Sequence, residues 1–259
     1  MLSDTELLRV AASAARSAAA TAKRAAPSVS QIGHTIKSDG SIATEVDVVC
    51  SKQITDFLSR STPSIPVFSE ENDYPLDKQS WVIDPLDGTT NFSRGIPFWC
   101  VSISFLRDGA ASIGVVYDVL HDEIFEARKN AGAWFNGAPL FPTESNLSKH
   151  PLLVFGHTSV SCIERLTHVL SFAKTQNFLF RAQGAGALSI SSIAIGRADA
   201  FFEDCIHLWD IAAADLILRE AGGVSYSSMD LAKPRDSFKY VAANAKHQAF
   251  GQNLWKLVT

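Results

Sequence analysis

No apolar run in this 259-residue chain approaches 18 residues, so the sequence offers no helix that spans a bilayer. It has no CxxC pair: its four cysteines, Cys50, Cys100, Cys162 and Cys205, lie far apart, each inside an apolar stretch. Free, buried thiols and a reducing cytoplasm are expected rather than disulfides or a thiolate metal site. It has no run of Lys or Arg; 23 basic against 27 acidic residues leave a net charge of −4, which excludes an electrostatic footprint for nucleic acid or an anionic membrane. It also has no internal repeat and no low-complexity linker. What it does have is apolar material: 46% hydrophobic and 10% aromatic residues, 16 of them Phe, enough for a sizeable core and too much for disorder. The length corresponds to roughly 1.7 average domains, which allows one large unit or two joined halves.

The Ala- and Ser-rich N-terminus is interrupted by Arg9 and Arg16 and opens with Asp4 and Glu6, which suits neither a signal nor a transit peptide. Ser3-Asp4-Thr5-Glu6 predicts a capping box, and the basic residues before Pro27 suit a helix C-terminus. A second amphipathic helix is expected from Thr44 to about Arg60, with Val46, Val49, Cys50, Ile54, Phe57 and Leu58 on its apolar face. Ser80 to Ile83 reads as a buried strand stopped by the acidic turn Asp84-Pro85-Leu86-Asp87-Gly88. Segments 100–106, 112–117 and 123–127 read as an antiparallel meander, which Gly132, Gly137, Pro139 and Pro142 then break. From about Pro151 strands at 152–155, 178–181, 200–203, 224–226 and 239–242 alternate with helices near 161–174, 186–196, 209–221 and 246–257, the third capped by Gly222-Gly223. The organisation expected is an α+β half over 1–145 and an α/β half over 146–259, with a boundary near 142–150.

The acids fall in informative places. Glu70 and Glu71 end an apolar stretch, Asp84 and Asp87 end a strand, and Asp210 follows Trp209 at a helix start. Ligands commonly sit beyond the carboxyl ends of strands in such sheets. Several carboxylates without His or Cys at ligand spacing make a hard-oxygen site that suits Mg²⁺ rather than Zn²⁺. Gly88-Thr89-Thr90 follows directly, and small residues there leave backbone N–H groups free for a phosphate. Each piece alone also has a plain structural reading: Asp-Pro-x-Asp-Gly is a good turn, Asp210 a good first-turn acid, and Thr44-x-x-Asp47 a capping box.

Together the pieces resemble the inositol monophosphatase family of Mg²⁺-dependent phosphatases. WVIDPLDGTTNF (Trp81 to Phe92) resembles its first signature and HLWDIAAADLILREAGG (His207 to Gly223) its second. Lys37 to Asp47, Ser69 to Glu71, Gly114 to Gly137 and GRADAFFE (Gly196 to Glu203) follow the family's order. The resemblance implies a layered αβαβα sandwich, usually a homodimer, and two or three Mg²⁺ ions. It casts Glu70, Asp84, Asp87, Asp210 and the Leu86 carbonyl as metal ligands, and the Gly88 and Thr89 N–H groups as phosphate holders. Thr89, hydrogen-bonded to Asp47, would orient and deprotonate the attacking water with Glu70 assisting. Glu203, Asp210 and the loop Gly184, Ala185 and Gly186 would face the substrate. Ala213-Ala214 replaces a family pattern that often carries Gly, and Gly186 adds room beside the loop.

The chemistry implied is hydrolysis of a phosphate monoester, a reaction needing up to ~10²¹-fold acceleration, for which a metal cluster is suited. No activated Ser or Cys motif suggests a covalent nucleophile instead. Thr90-Asn91-Phe92 and Glu203 favour inositol monophosphate or a similar polyol phosphate. A 3′(2′),5′-bisphosphate nucleotidase and a histidinol-phosphate phosphatase remain as alternatives within the superfamily. An interaction protein with incidental phosphatase activity would be expected to have lost a metal ligand, and none is missing. Gly184-Ala185-Gly186 lacks the third glycine of a nucleotide loop. His207 is expected to cap or pack, and Phe98, Trp99, Phe201, Phe202 and Trp209 to fill the core or a dimer interface.

Overall fold

The computed structural model describes residues 2–26, 34–36, 42–72, 74–141 and 150–259; Lys37 and residues 142–149 of the expected boundary lie outside them. In chain order the elements are α1 (Asp4–Ala25), β1 (His34–Ile36), β2 (Ile42–Thr44), α2 (Glu45–Ser61), β3 (Val67–Ser69), β4 (Ser80–Asp87), α3 (Thr89–Ser93), β5 (Cys100–Arg107), β6 (Ala110–Asp118), β7 (Glu123–Arg128), β8 (Gly132–Phe135) and β9 (Ala138–Pro139). They continue with β10 (Leu152–Phe155), α4 (Ile163–Thr175), β11 (Leu179–Ala182), α5 (Gly186–Ala194), β12 (Ala200–Ile206), α6 (Leu208–Glu220), β13 (Val224–Ser227), β14 (Phe238–Ala243) and α7 (Gln248–Val258). Both predicted capping boxes form: Ser3 with Glu6 starts α1, and Thr44 with Asp47 starts α2.

β3 to β9 form a seven-stranded sheet in sequence order, with β3 parallel to β4 and every later neighbour antiparallel. The second sheet has five strands in the order β11-β10-β12-β14-β13, parallel around β10 and antiparallel around β14. Alternation along the strands sorts side chains into three cores. Trp81, Ile83, Val101, Ile103, Val115 and Tyr117 pack under the Ala-rich face of α1 and under α2. Val82, Val116 and Phe125 point the other way, to α5 and α6, which also take Val154, Phe201 and Tyr240 from the five-stranded sheet. Leu153, Phe202 and Val241 on its far face meet α4 and α7. The layers are therefore α1/α2, seven strands, α5/α6, five strands, α4/α7, the αβαβα sandwich. Each fully buried large side chain contributes about 1.5–3 kcal/mol. The central layer packs closely, since a Cβ on Gly114 of β6 would stand 2.7 Å from the Ala213 carbonyl of α6.

Four local readings differ. β4 does not stop at Ile83 but runs through the acids to Asp87, with a bulge against β5. The meander is not broken at Gly132 and Gly137 but adds two strands; Asn136 (φ 50°) and Gly137 (φ 78°) turn between them as a two-residue hairpin loop. Val49 is 52% exposed, while Asp47 and Ser51 of α2 are buried. Cys50 and Cys100 are buried free thiols, but Cys162 and Cys205 are half-buried.

Candidate active site

Three carboxylates converge where the first turn of α6 meets the end of β4. Asp84, Asp87 and Asp210 each present an oxygen within 4.8 Å of the others, Asp84 and Asp87 buried and Asp210 partly open. Each is held by backbone donors. Asp84 Oδ1 accepts the Leu86 N–H at 2.9 Å, and Asp210 Oδ2 the His207 N–H at 2.8 Å. Asp87 spans the two halves: Oδ1 accepts the Gly186 N–H at 3.0 Å and Oδ2 the Ala187 N–H at 2.8 Å, so it caps α5. Glu70, just past β3, lines the same cavity.

This arrangement is electrostatically strained. Burial lifts the Asp84 pKa well above the usual range, and the charges of Glu70, Asp87 and Asp210 lift it further. Burial lifts Asp210, with Asp87 and Glu70 adding to it. Burial raises Asp87 to about 6 against opposing hydrogen bonds from Cys100 and the α5 N–H groups. No Lys or Arg is among the described residues lining the cavity. An oxygen-only donor set, preset by backbone bonds and short of positive charge, fits a hard divalent cation.

Gly88 stands between β4 and α3 at φ 93°, a conformation that favours glycine, and a Cβ there would stand 3.1 Å from both Ala185 Cβ and the Phe98 carbonyl. The tight turn puts Thr89 Oγ1 2.8 Å from Asp47 Oδ1 and 3.0 Å from the Leu86 carbonyl. Asp47 reaches across from the first turn of α2, where its Oδ2 accepts the Thr44 N–H at 2.8 Å and the Thr44 hydroxyl. Burial raises its pKa, opposed by the hydrogen bonds from Thr44 and Thr89. Asp47 itself lies behind Thr89, outside the cavity lining.

The cavity holds about 520 Å³ and is lined by Glu70, Asp84, Leu86, Asp87, Gly88, Thr89, Gly184, Gly186, Glu203 and Asp210, among others. Of the residues given a catalytic, metal, phosphate or substrate role from the sequence, all lie on its wall except Asp47 and Ala185, the latter buried behind the Gly184 turn; Glu71 and Phe92, also singled out, do not line it. Glu203 projects from β12 against Gly156, where a Cβ would stand 1.9 Å from its Oε2; no other residue fits there without displacing that carboxylate. Burial raises the Glu203 pKa well above normal, and Asp210 and Asp87 add to it. Sequence reasoning missed the wall formed by Gly156, His157, Thr158, Ser159 and Val160. These residues follow β10, so the rule about strand carboxyl ends that singled out Asp84 points to them as well. His207 and Trp209, read as packing residues, also line the cavity, with rings stacked at 4.7 Å.

A layered sandwich with an acid-floored cavity between its sheets has close counterparts. It superposes on the extragenic suppressor protein SuhB of Bartonella henselae with a TM-score of 0.88 over 98% of both chains, at 27% identity. The profile of the inositol monophosphatase family matches residues 3–258, and the chain belongs to that family. Among its relatives are the Nus factor SuhB of Pasteurella multocida, 35% identical over 84% of each chain, and inositol monophosphatase 1 of Bos taurus, 34% identical over 72% of this chain and 71% of that one.

Proposed function

We propose that the chain is a Mg²⁺-dependent phosphomonoesterase that hydrolyses inositol monophosphate or a similar polyol phosphate to the alcohol and phosphate. The observation that carries this reading is the trio of acid oxygens within 4.8 Å of one another on the floor of the cavity. Glu70, Asp84, Asp87, Asp210 and the Leu86 carbonyl would hold two or three ions. When bound, Mg²⁺ supplies positive charge that acidifies water and offsets charge on the phosphoryl and leaving oxygens. The N–H groups of Gly88 and Thr89 hold the phosphate. Because the Thr89 hydroxyl donates to Asp47, its lone pairs remain to take a proton from water, and Asp47, its own pKa raised, can receive the Thr89 proton in turn. Glu70, which lines the same cavity, would assist. Glu203 accepts hydrogen bonds from substrate hydroxyls, with Gly184 and Gly186 on the same cavity wall.

The complete acid set favours an enzyme over a purely interacting protein. Four cysteines without a disulfide suit a cytoplasmic setting. β11 is an edge strand with Leu179 and Phe180 exposed, and a homodimer through such an edge would cover them. Phosphate release from inositol 1-phosphate, 3′-phosphoadenosine 5′-phosphate, fructose 1,6-bisphosphate and histidinol phosphate, with Mg²⁺ and with EDTA, tests the reading. Strongest Mg²⁺-dependent release from inositol 1-phosphate is expected. Preference for another substrate would overturn the polyol assignment, and release unaffected by EDTA would overturn the metal assignment.

A further inference from the structure

One cation stands just behind the acidic floor without lining the cavity. Arg235 lies between β13 and β14, and its guanidinium covers the Phe68 ring at 4.5 Å and reaches the Trp209 ring at 5.9 Å. These rings are themselves 6.0 Å apart. Phe68 sits on β3 just ahead of Glu70, and Trp209 directly precedes Asp210. The same guanidinium donates to the carbonyl of Asn72 and lies 3.4 Å from the carbonyls of Ser69 and Tyr74. Three acceptors of the segment that carries Glu70 therefore converge on one side chain from the other half of the molecule.

Several other polar contacts of that segment are local. Asn72 Oδ1 accepts from the Ser69 and Tyr74 N–H groups, Asn72 Nδ2 donates to the Val67 carbonyl, and the Glu71 N–H donates to Ser69 Oγ. They shape the loop, while the Ser69 hydroxyl meets the Ser51 hydroxyl of α2 at 3.0 Å and the Glu70 N–H joins the loop to Ile83 of β4. Arg235 links the loop to α6 by lying against Trp209. A planar fork with five N–H donors and a stackable face can fill this role, whereas a Lys ammonium cannot satisfy the same carbonyls while lying flat on two rings.

We propose that Arg235 is a positioning residue that sets the distance between Glu70 and Asp210, and thereby the affinity of the acidic centre for its cation. This rests on the reading of those acids as a cation site. The sign of the effect separates positioning from simple charge. If Arg235 acted only through its charge, it would repel an incoming cation, and its removal would tighten binding. If it positions the acids, removal weakens binding, and Lys, which keeps the charge but not the fork, fails to rescue.

The test is calorimetric titration of Mg²⁺ into the substrate-free protein, with Arg235→Lys and Arg235→Met compared with wild type and with Arg60→Met on the exposed end of α2 as a control. Both Arg235 variants are expected to bind roughly tenfold more weakly or worse, the range found when groups supporting metal ligands are removed. The amides of residues 70–72 should lose hydrogen-exchange protection in EDTA, and at saturating Mg²⁺ the substrate KM should stay within about twofold of wild type. Wild-type affinity in Arg235→Lys, or tighter binding in Arg235→Met, would overturn the proposal while leaving the cation site standing. A wild type that takes up no Mg²⁺ would overturn the cation site and this proposal with it.

Discussion

Glu203 and Asp204 are adjacent on β12, nearly equally buried at 8% and 7% exposed, yet they meet opposite surroundings. Asp204 turns toward α4, where Arg165 Nη1 and the Cys162 N–H each stand 2.9 Å from its Oδ2. Glu203 turns into the cavity, where the nearby charges that act on it are those of Asp210, Asp87 and Asp204, all negative. Asp215 of α6 resembles the first case, held by Arg219, Tyr240 and Ser225. The fold thus sets an Arg beside Asp204 and Asp215, whereas Asp84, Asp87 and Asp210 are held by N–H donors, with the His207 ring nitrogen 3.8 Å from Asp210 Oδ2. A buried acid paired with an Arg is complete as folded; a cluster of acids held by N–H donors gathers negative charge that a cation from solution can neutralise.

The sharpest way to break this comparison is Asp84→Asn, which removes one negative charge but keeps an acceptor for the Leu86 N–H. Mg²⁺-dependent phosphate release should fall roughly 10²–10³-fold, while the melting temperature in EDTA should rise because repulsion is relieved. Loss of activity together with a lower melting temperature would mean that the acid is structural.

Next in size is the pH response without cation. Asp87 is raised from 3.8 to about 6, and Asp84, Asp210 and Glu203 are also raised, so over that window the native state binds more protons than the unfolded chain. Stability therefore falls as pH climbs through it. In EDTA the melting temperature should be lower at pH 8 than at pH 5. Mg²⁺ at about 100 times its Kd should restore about 2.7 kcal/mol at pH 8 and less at pH 5, where protons compete.

The neighbours on β12 can be set against each other directly. Asp204→Asn should destabilise by about 1–2 kcal/mol in a denaturant melt, because Arg165 loses its charged partner. Glu203→Gln should leave that melt unchanged or improved and cost about tenfold in kcat/KM, near 1.4 kcal/mol, on a polyol phosphate. The smallest effect is expected at Gly186, where an added Cβ would meet Ile206 Cδ1 at 3.2 Å and Asp210 Cβ at 3.6 Å. Gly186→Ala should raise KM a few-fold with kcat little changed.

Much of this was legible in the sequence because it is written locally. The capping boxes of α1 and α2, the strands over 100–127 and the alternation from residue 151 depend on spacing within a single element. The acids were legible as a set because they punctuate strand ends and because two signatures resemble a known family. What was not legible depends on tertiary partners. Arg235 reads as an ordinary loop residue until the sandwich brings it to Ser69 and Asn72, far away in sequence. Gly156 reads as a turn until Glu203 is packed against it. Asn136-Gly137 was different: a strong local hairpin signal that Gly132 and Pro139 made easy to read as an end of regular structure.

The bulge in β4 has a consequence best put as arithmetic. Side chains on a strand alternate with period two, so residues separated by an odd number point to opposite faces. Asp84 and Asp87 are three apart, yet both carboxylates reach the same cavity. The register shows how parity is corrected: Asp84 faces Ser102 and Asp87 faces Cys100, so three steps along β4 match two along β5. The extra residue falls at Pro85-Leu86, where Pro85 has no N–H to give the ladder. A regular strand of the same composition would turn one acid toward α1 and α2 and the other toward α6. The odd spacing of the two aspartates and the proline between them therefore form a single instruction, in which the count of residues matters as much as their identity.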